Sequence, residues 1–258
     1  MKMTDTELQQ VARQALACLD LTRLNDDDTE DDIERLCVRA QGRFGPVAAV
    51  CVWPRLAGLA RRRLPASIAV AAVANFPQGD AKPERAQRDV GEIVQAGAQE
   101  VDVVLPWQAL LDGDTGAAAR VLAATRRASD GLRLKVILET GMLETPARIA
   151  EASRIALGEG ADFLKTSTGK VPVGATPEAA RAMLQAIAVD ARSSTVGFKA
   201  SGGVRTVADA ALYLGLVTEH LGTEAGVPAR FRIGASGLLD DIEAVLSGSV
   251  SAPVAGGY

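Results

Sequence analysis

Eight short apolar runs, each trailed by a helical stretch with a recognisable cap, and glycine-rich turns that come only after the sixth, seventh and eighth runs, predict an α/β fold. Within 258 residues, 48% apolar and 23% charged, eight strand-helix units match a TIM (β/α)8 barrel. An open doubly wound sheet is the competing architecture, but its glycine-rich turn would follow the first strand. No linker or low-complexity break interrupts the chain, so residues 1–258 are expected to form one domain.

The elements follow from local signals. Thr4 and Glu7 form a capping box ahead of Leu8, Val11, Ala15, Leu16 and Leu19, so residues 1–18 are expected as an extra N-terminal helix that caps the barrel. The expected strands are residues 20–24, 47–53, 68–75, 100–106, 132–140, 161–168, 195–200 and 231–234. Residues 47–52 and 68–74 are apolar at every position, as strands covered on both faces are. Helix starts are expected at Thr29 with Asp32, Thr145 with Pro146, Thr176 with Pro177 and Glu178, and Thr206 with Asp209. Gly97 and Gly160 suit the left-handed residue that closes a helix. The terminal SAPVAGGY is too rich in small residues to pack, and 248–258 is expected to be a mobile tail.

Composition narrows the chemistry. The 28 basic residues nearly balance the 32 acidic ones, leaving a formal charge of -4 and no electrostatic footprint for nucleic acid. A single histidine, His220, argues against a multi-imidazole zinc site and a Ser-His-Asp triad. No metal or organic cofactor is expected. Cys18, Cys37 and Cys51 lack paired spacing and suit a reducing compartment. Residues 1–20 are too polar for a secretory signal, and the longest apolar runs are far shorter than a membrane span. A cytoplasmic protein is the expectation.

The basic residues are 22 Arg and only six Lys. Lys135, Lys165, Lys170 and Lys199 nevertheless fall on, or just beyond, three apolar runs. An ammonium can lose its proton and attack a carbonyl, whereas a guanidinium stays protonated. A lone lysine at a strand end most simply snorkels to solvent, but Lys165 and Lys199 end adjacent strands, which lie about 4.8 Å apart. Each ammonium then disfavours the other's charge, and with burial this favours a free amine. Either lysine is a Schiff-base candidate.

FLKTSTGK, residues 163–170, is not a phosphate-binding P-loop, because Val171 follows the GK pair and the upstream glycine is missing. Its hydroxyl-rich turn runs through Thr168 and Gly169 to Lys170. GFKASGGVR and IGASG follow the last two runs, where many TIM barrels bind phosphate through backbone N–H groups. Gly202, Gly203, Arg205 and Ser236 fit that task, with Gly234 and Gly237 beside them. Asp102 interrupts the apolar run EVDVVLP and requires a cationic partner, Lys165 or Lys199. It is the candidate for proton transfer, although a buried ion pair that only fixes register is the plainer account. Asp20 and Glu139 are further candidates of the same kind.

Together these motifs resemble deoxyribose-phosphate aldolase, a class I aldolase family. The likeness runs from LDLTRLNDDDT at Leu19 through CVWPR, NFPQG, EVDVVLP, KVILETG, ADFLKTSTGK, GFKASGGVRT and IGASG to the terminal Tyr258. FLKTSTGK followed by GFK and GGVR is the specific part. The resemblance implies an imine on Lys165, a neighbouring amine on Lys199 and a proton-handling carboxylate on Asp102. It assigns Lys170, Gly202, Gly203, Arg205, Gly234 and Ser236 to the phosphate end, and brings the Tyr258 phenol to the site as a proton donor. It further implies reversible cleavage of 2-deoxy-D-ribose 5-phosphate to glyceraldehyde 3-phosphate and acetaldehyde, with a homodimer as the assembly. Family members often read GFKPAGG and GASS, whereas this chain has Ala200, Ser201 and Gly237, and Ala74 where threonine is common. Other readings are another Schiff-base aldolase, a phosphosugar isomerase, or a non-catalytic phosphosugar-binding protein. Cys51, near a strand end, is a candidate for adducts with aldehyde product, or a small core residue.

Overall fold

The computed structural model describes residues 3–248. Eight parallel strands close into a barrel in sequence order: β1 (Leu19–Thr22), β2 (Ala49–Val52), β3 (Ala69–Ala74), β4 (Glu100–Val104), β5 (Arg133–Ile137), β6 (Phe163–Lys165), β7 (Gly197–Ser201) and β8 (Phe231–Ala235). β8 pairs with β1 through Asp20 opposite Gly234, which leaves no open edge. The outer layer comprises α1 (Asp5–Ala17), α2 (Glu30–Arg39), α3 (Pro54–Arg63), α4 (Pro83–Gln95), α5 (Trp107–Leu111), α6 (Thr115–Ala128), α7 (Thr140–Leu143), α8 (Pro146–Gly158), α9 (Pro177–Ala188), α10 (Val207–Leu221) and α11 (Leu238–Ser247). Among the described residues no helix is long and apolar enough to cross a membrane.

The caps behave as their chemistry dictates. Thr4, Thr29 and Thr206 each complete a capping box, and Thr145 and Thr176 accept from backbone N–H groups with proline in the first turn. Gly97 and Gly160 adopt φ of 72° and 86°, closing helices as expected. The N-terminal helix packs against α10 and α11 and runs directly into β1.

All eight expected strands are present, but most are shorter than their apolar runs suggest. The run at 161–168 contributes only Phe163–Lys165 to the sheet, because the hydroxyl of Thr166 then bonds the backbone of Ser201 and the chain turns into the loop above the barrel. The short helices α5 and α7 occupy the stretches after β4 and β5, where the sequence offered only the end of an apolar run.

The sheet faces are unlike one another. Outward side chains such as Val50, Val70, Val101, Val136, Leu164 and Phe198 join the helices in one large apolar core. Inside the barrel, Cys51, Ala71, Val73, Val104 and Ile137 form a small apolar patch with Leu24 and Phe76. The opposite side of the interior carries the buried charged groups and holds the candidate site. Phe163 lies among these interior groups, with the guanidinium carbons of Arg133 and Arg232 at 5.7 and 5.9 Å from its ring centroid. A Cβ on Gly197 would come within 2.3 Å of that ring, so glycine is the residue that fits there.

Candidate active site

Strand register builds the site. Lys165 on β6 lies opposite Lys199 on β7, Lys199 lies opposite Arg232 on β8, and Asp102 on β4 lies opposite Lys135 on β5. Asp102 is fully buried and accepts from three lysine Nζ groups: Lys135 at 2.7 Å on one oxygen, and Lys165 and Lys199, each at 2.8 Å, on the other. Lys199 also donates to Asp20 at 2.5 Å. Lys135 reaches Glu100 at 2.6 Å. Arg232 clamps Asp20 at 2.5 Å and Glu100 at 2.9 Å. Three buried carboxylates thus face four buried bases, with the half-buried Arg133 at 2.7 Å from Glu100 at the edge.

Mutual pairing makes such burial tolerable. Burial opposes ionisation of Asp102, but Lys135, Lys165 and Lys199 outweigh it and hold the carboxyl well below its ordinary value. Asp20 is held low in the same way, with Lys199, Arg232 and Lys135 overriding desolvation. Burial would strip the proton from Lys199, yet Asp102 and Asp20 overcome it and raise its pKa. The sequence suggested that burial and the neighbouring ammonium favour a free amine on either lysine; at Lys199 the two carboxylates committed to it outweigh both and favour the cation. Asp102 has both lysines as partners rather than one of them.

Lys165 lies at the boundary between this network and a cavity of about 290 Å3. Thr168, Gly169, Gly202, Gly203, Arg205, Gly234, Ser236 and Gly237 all line the cavity, joined by Thr22, Ser201, Val204, Ala235 and Asp240. Gly202 and Gly203 have φ of 84° and 86°, where a side chain would be strained. Gly234 has a steric reason as well, since a Cβ there would lie 2.9 Å from Lys199 Cε. Lys170 is exposed and outside this lining, its backbone N–H donating to Thr168 Oγ1 at 3.0 Å. Tyr258 and the rest of the expected tail beyond Gly248 lie outside the described residues.

Glu139 does not join the Asp102 network. It is buried with φ of 57°, and its two oxygens accept from the backbone N–H and hydroxyl of Thr168 at 3.2 and 2.6 Å. Burial raises its pKa against those hydrogen bonds. It anchors the loop that carries Thr168 into the cavity. Cys51 is sealed inside the barrel, 3.8 Å from Asp102, and burial pushes its thiol up to about 11. It is a core residue, and its thiol does not face the cavity.

Sequence reasoning missed the roles of Lys135, Glu100 and Arg232. Glu100 lies two residues before Asp102, the spacing that returns a strand side chain to the same face, and that alternation was the available signal.

The profile of the DeoC/LacD family aldolase matches residues 14–239. The chain is 46% identical over 253 residues to the curated deoxyribose-phosphate aldolase of Agrobacterium fabrum, covering 97% of each chain. A crystal structure from Toxoplasma gondii has the same fold, with a TM-score of 0.85 at 22% identity over 97% of this chain and 99% of that one. The deoxyribose phosphate aldolase of Aeropyrum pernix, described as tetrameric, superposes with a TM-score of 0.73 at 25% identity, covering 94% of this chain and 98% of its own. The barrel, the buried lysines beneath a glycine-lined cavity and these similarities agree: the chain belongs to the DeoC/LacD family of aldolases.

Proposed function

We propose that this protein is a class I aldolase that reversibly cleaves 2-deoxy-D-ribose 5-phosphate to D-glyceraldehyde 3-phosphate and acetaldehyde, with Lys165 as the imine-forming residue. The observation that carries this reading is the position of Lys165, whose amine belongs to the buried charge network at Asp102 and also faces the cavity. With Lys135, Lys199 and Arg232 answering Asp20, Glu100 and Asp102, the three carboxylates are balanced without a fourth cation. Engaging the Lys165 amine with substrate therefore leaves those pairings in place.

Lys165 Nζ attacks C1 of the open-chain sugar, and loss of water from the carbinolamine gives a protonated imine. Acetaldehyde carries away C1 and C2, so the bond that breaks is C2–C3. Its electrons flow into the imine to form an enamine, while the C3 hydroxyl loses its proton and becomes the aldehyde of glyceraldehyde 3-phosphate. Protonation of C2 and hydrolysis then release acetaldehyde and restore the amine. Asp102, through bound water, handles the hydroxyl proton, and Asp20 holds Lys199 in place beside it. Lys199 stays cationic and keeps the Asp102 charge in position. Thr168, Gly169, Gly202, Gly203, Gly234, Ser236 and Gly237 offer backbone and hydroxyl donors to the phosphoryl group, and Arg205 and Lys170 supply positive charge. Tyr258 is assigned the protonation of the enamine on the family resemblance.

Incubation with 2-deoxyribose 5-phosphate, with both aldehydes quantified, tests the reading. Stoichiometric products that vanish in Lys165→Arg are expected. Isomerisation of ribose 5-phosphate without aldehyde release would overturn it in favour of an isomerase. The same proposal includes a homodimer, decided by sedimentation velocity, and a cytoplasmic location, which the unpaired, buried Cys18, Cys37 and Cys51 support.

A further inference from the structure

The polar end of the cavity carries a charge that phosphate binding does not call for. Asp240 lines the same wall as Ser236 and Gly237, in the first turn of α11. It pairs with Arg39 on α2 at 2.7 Å, and Arg39 is shared with Glu243 at 3.2 Å. One guanidinium therefore answers two carboxylates. The Asp240 and Arg39 side chains are 58% and 44% exposed, so the pair faces water and is not a sealed structural pin.

The neighbouring helix start is also supplied from within the chain. Asp209 accepts from the N–H groups of Arg205 and Thr206 at 3.0 and 2.9 Å, and Asp241 accepts from Val207 at 2.7 Å. These amides at the start of α10 are thus already satisfied by carboxylates. A phosphoryl group entering the cavity finds the glycine-turn amides and Arg205, but it also meets a standing anion.

We propose that Asp240 is a specificity-determining residue that weakens the cavity's hold on a doubly charged phosphoryl terminus relative to a neutral hydroxyl terminus, and so narrows the preference for the phosphorylated sugar. The chemistry is asymmetric. A hydroxyl can donate a hydrogen bond to the Asp240 carboxylate, whereas a phosphate dianion has only acceptors to offer. Arg39 tempers the effect by neutralising part of the Asp240 charge. This inference rests on the aldolase reading for its substrates, but the charge effect can be read without turnover.

Inorganic phosphate binding, measured by calorimetry at low salt, provides that independent arm. Asp240→Asn is expected to bind phosphate about three- to tenfold more tightly than wild type, and Arg39→Gln more weakly by a similar factor, as suits a partly solvated charge. Both differences should shrink as salt is raised. In turnover, the ratio of kcat/KM for 2-deoxyribose 5-phosphate over 2-deoxyribose should rise in Asp240→Asn and fall in Arg39→Gln, mainly through KM for the phosphorylated sugar. Opposite signs from the two variants separate charge from mere disturbance of α11. Equal phosphate affinity in all three proteins, or both variants shifting the same way, overturns the inference. Failure of the aldolase reading would instead appear as absent aldehyde release, with the phosphate-binding differences unaffected.

Discussion

Lys165 and Lys199, register partners on β6 and β7, each place Nζ 2.8 Å from the same oxygen of Asp102. One carboxylate thus joins a lysine at the cavity to a lysine that the cavity does not reach. Their environments divide the work: Lys199 has a second carboxylate in Asp20, whereas Lys165 has Asp102 alone.

Removing the fixed cation should damage both fold and chemistry. Lys199→Met leaves Asp20 and Asp102 short of a buried partner, and breaking a pair of this kind costs about 3–5 kcal/mol. Urea unfolding should show that loss, and kcat should fall by about a hundredfold or more, because the charge that holds Asp102 is gone. Undiminished kcat in Lys199→Met would remove its assigned role.

Acid should destabilise the protein through the same cluster. Asp20, Asp102 and Glu100 are held below their ordinary values of 3.8, 3.8 and 4.5 because neighbouring ammonium and guanidinium groups outweigh desolvation. A carboxyl with a depressed folded-state pKa contributes stability that is present above its unfolded value and lost as pH falls toward the folded one. Unfolding free energy should therefore decline from about pH 4 downward. Glu139 has the opposite sign, since burial raises its pKa. Its contribution is present below its unfolded value of 4.5 and fades as pH rises through the folded one. Glu139→Gln should accordingly lose less stability than wild type as pH is raised from 4.5. Stability that is flat in acid would contradict the assigned charges.

Packing around the glycines gives a separate test. A Cβ at position 197 would lie 2.3 Å from the Phe163 ring, and overpacking of this sort costs about 1–3 kcal/mol. Gly197→Ala should lower stability by that order in wild type but by much less in a Phe163→Ala background. Additive losses in the double-mutant cycle would show that the ring is not what excludes a side chain there.

The proton-donor role proposed for Tyr258 on the family resemblance can be tested apart from folding. Deleting this residue should slow solvent deuterium exchange at the acetaldehyde methyl group by tenfold or more, with little change in Tm. Equal exchange rates would assign the proton to another donor.

What the sequence disclosed depended on contrast. Lys165 and Lys199 stood out against a background of 22 Arg, and Asp102 broke an apolar run. Arg232 had no such contrast, because another arginine is unremarkable in this chain, and Lys135, though it stood out with the other strand lysines, lies inside its strand with no local sign of the carboxylates it meets. Closure of β8 onto β1 brings Arg232 and Asp20 together across 212 positions, a relationship that no local pattern encodes. Strand ends were overestimated because apolar content persists beyond the strand, as in Leu105 and Pro106 after β4 ends at Val104. The turn at Gly202 and Gly203 was legible because positive φ values there leave few other residues acceptable. The Arg39–Asp240 pair was invisible, since it joins α2 to α11 across the closure of the barrel.

Borohydride reduction in the presence of acetaldehyde, followed by peptide mass mapping, tests the central claim most directly. A stable two-carbon adduct on the peptide containing Lys165, absent in Lys165→Arg, is the predicted result. An adduct on Lys199 or Lys135 instead, or sustained aldol turnover with no trapped lysine, would contradict the account.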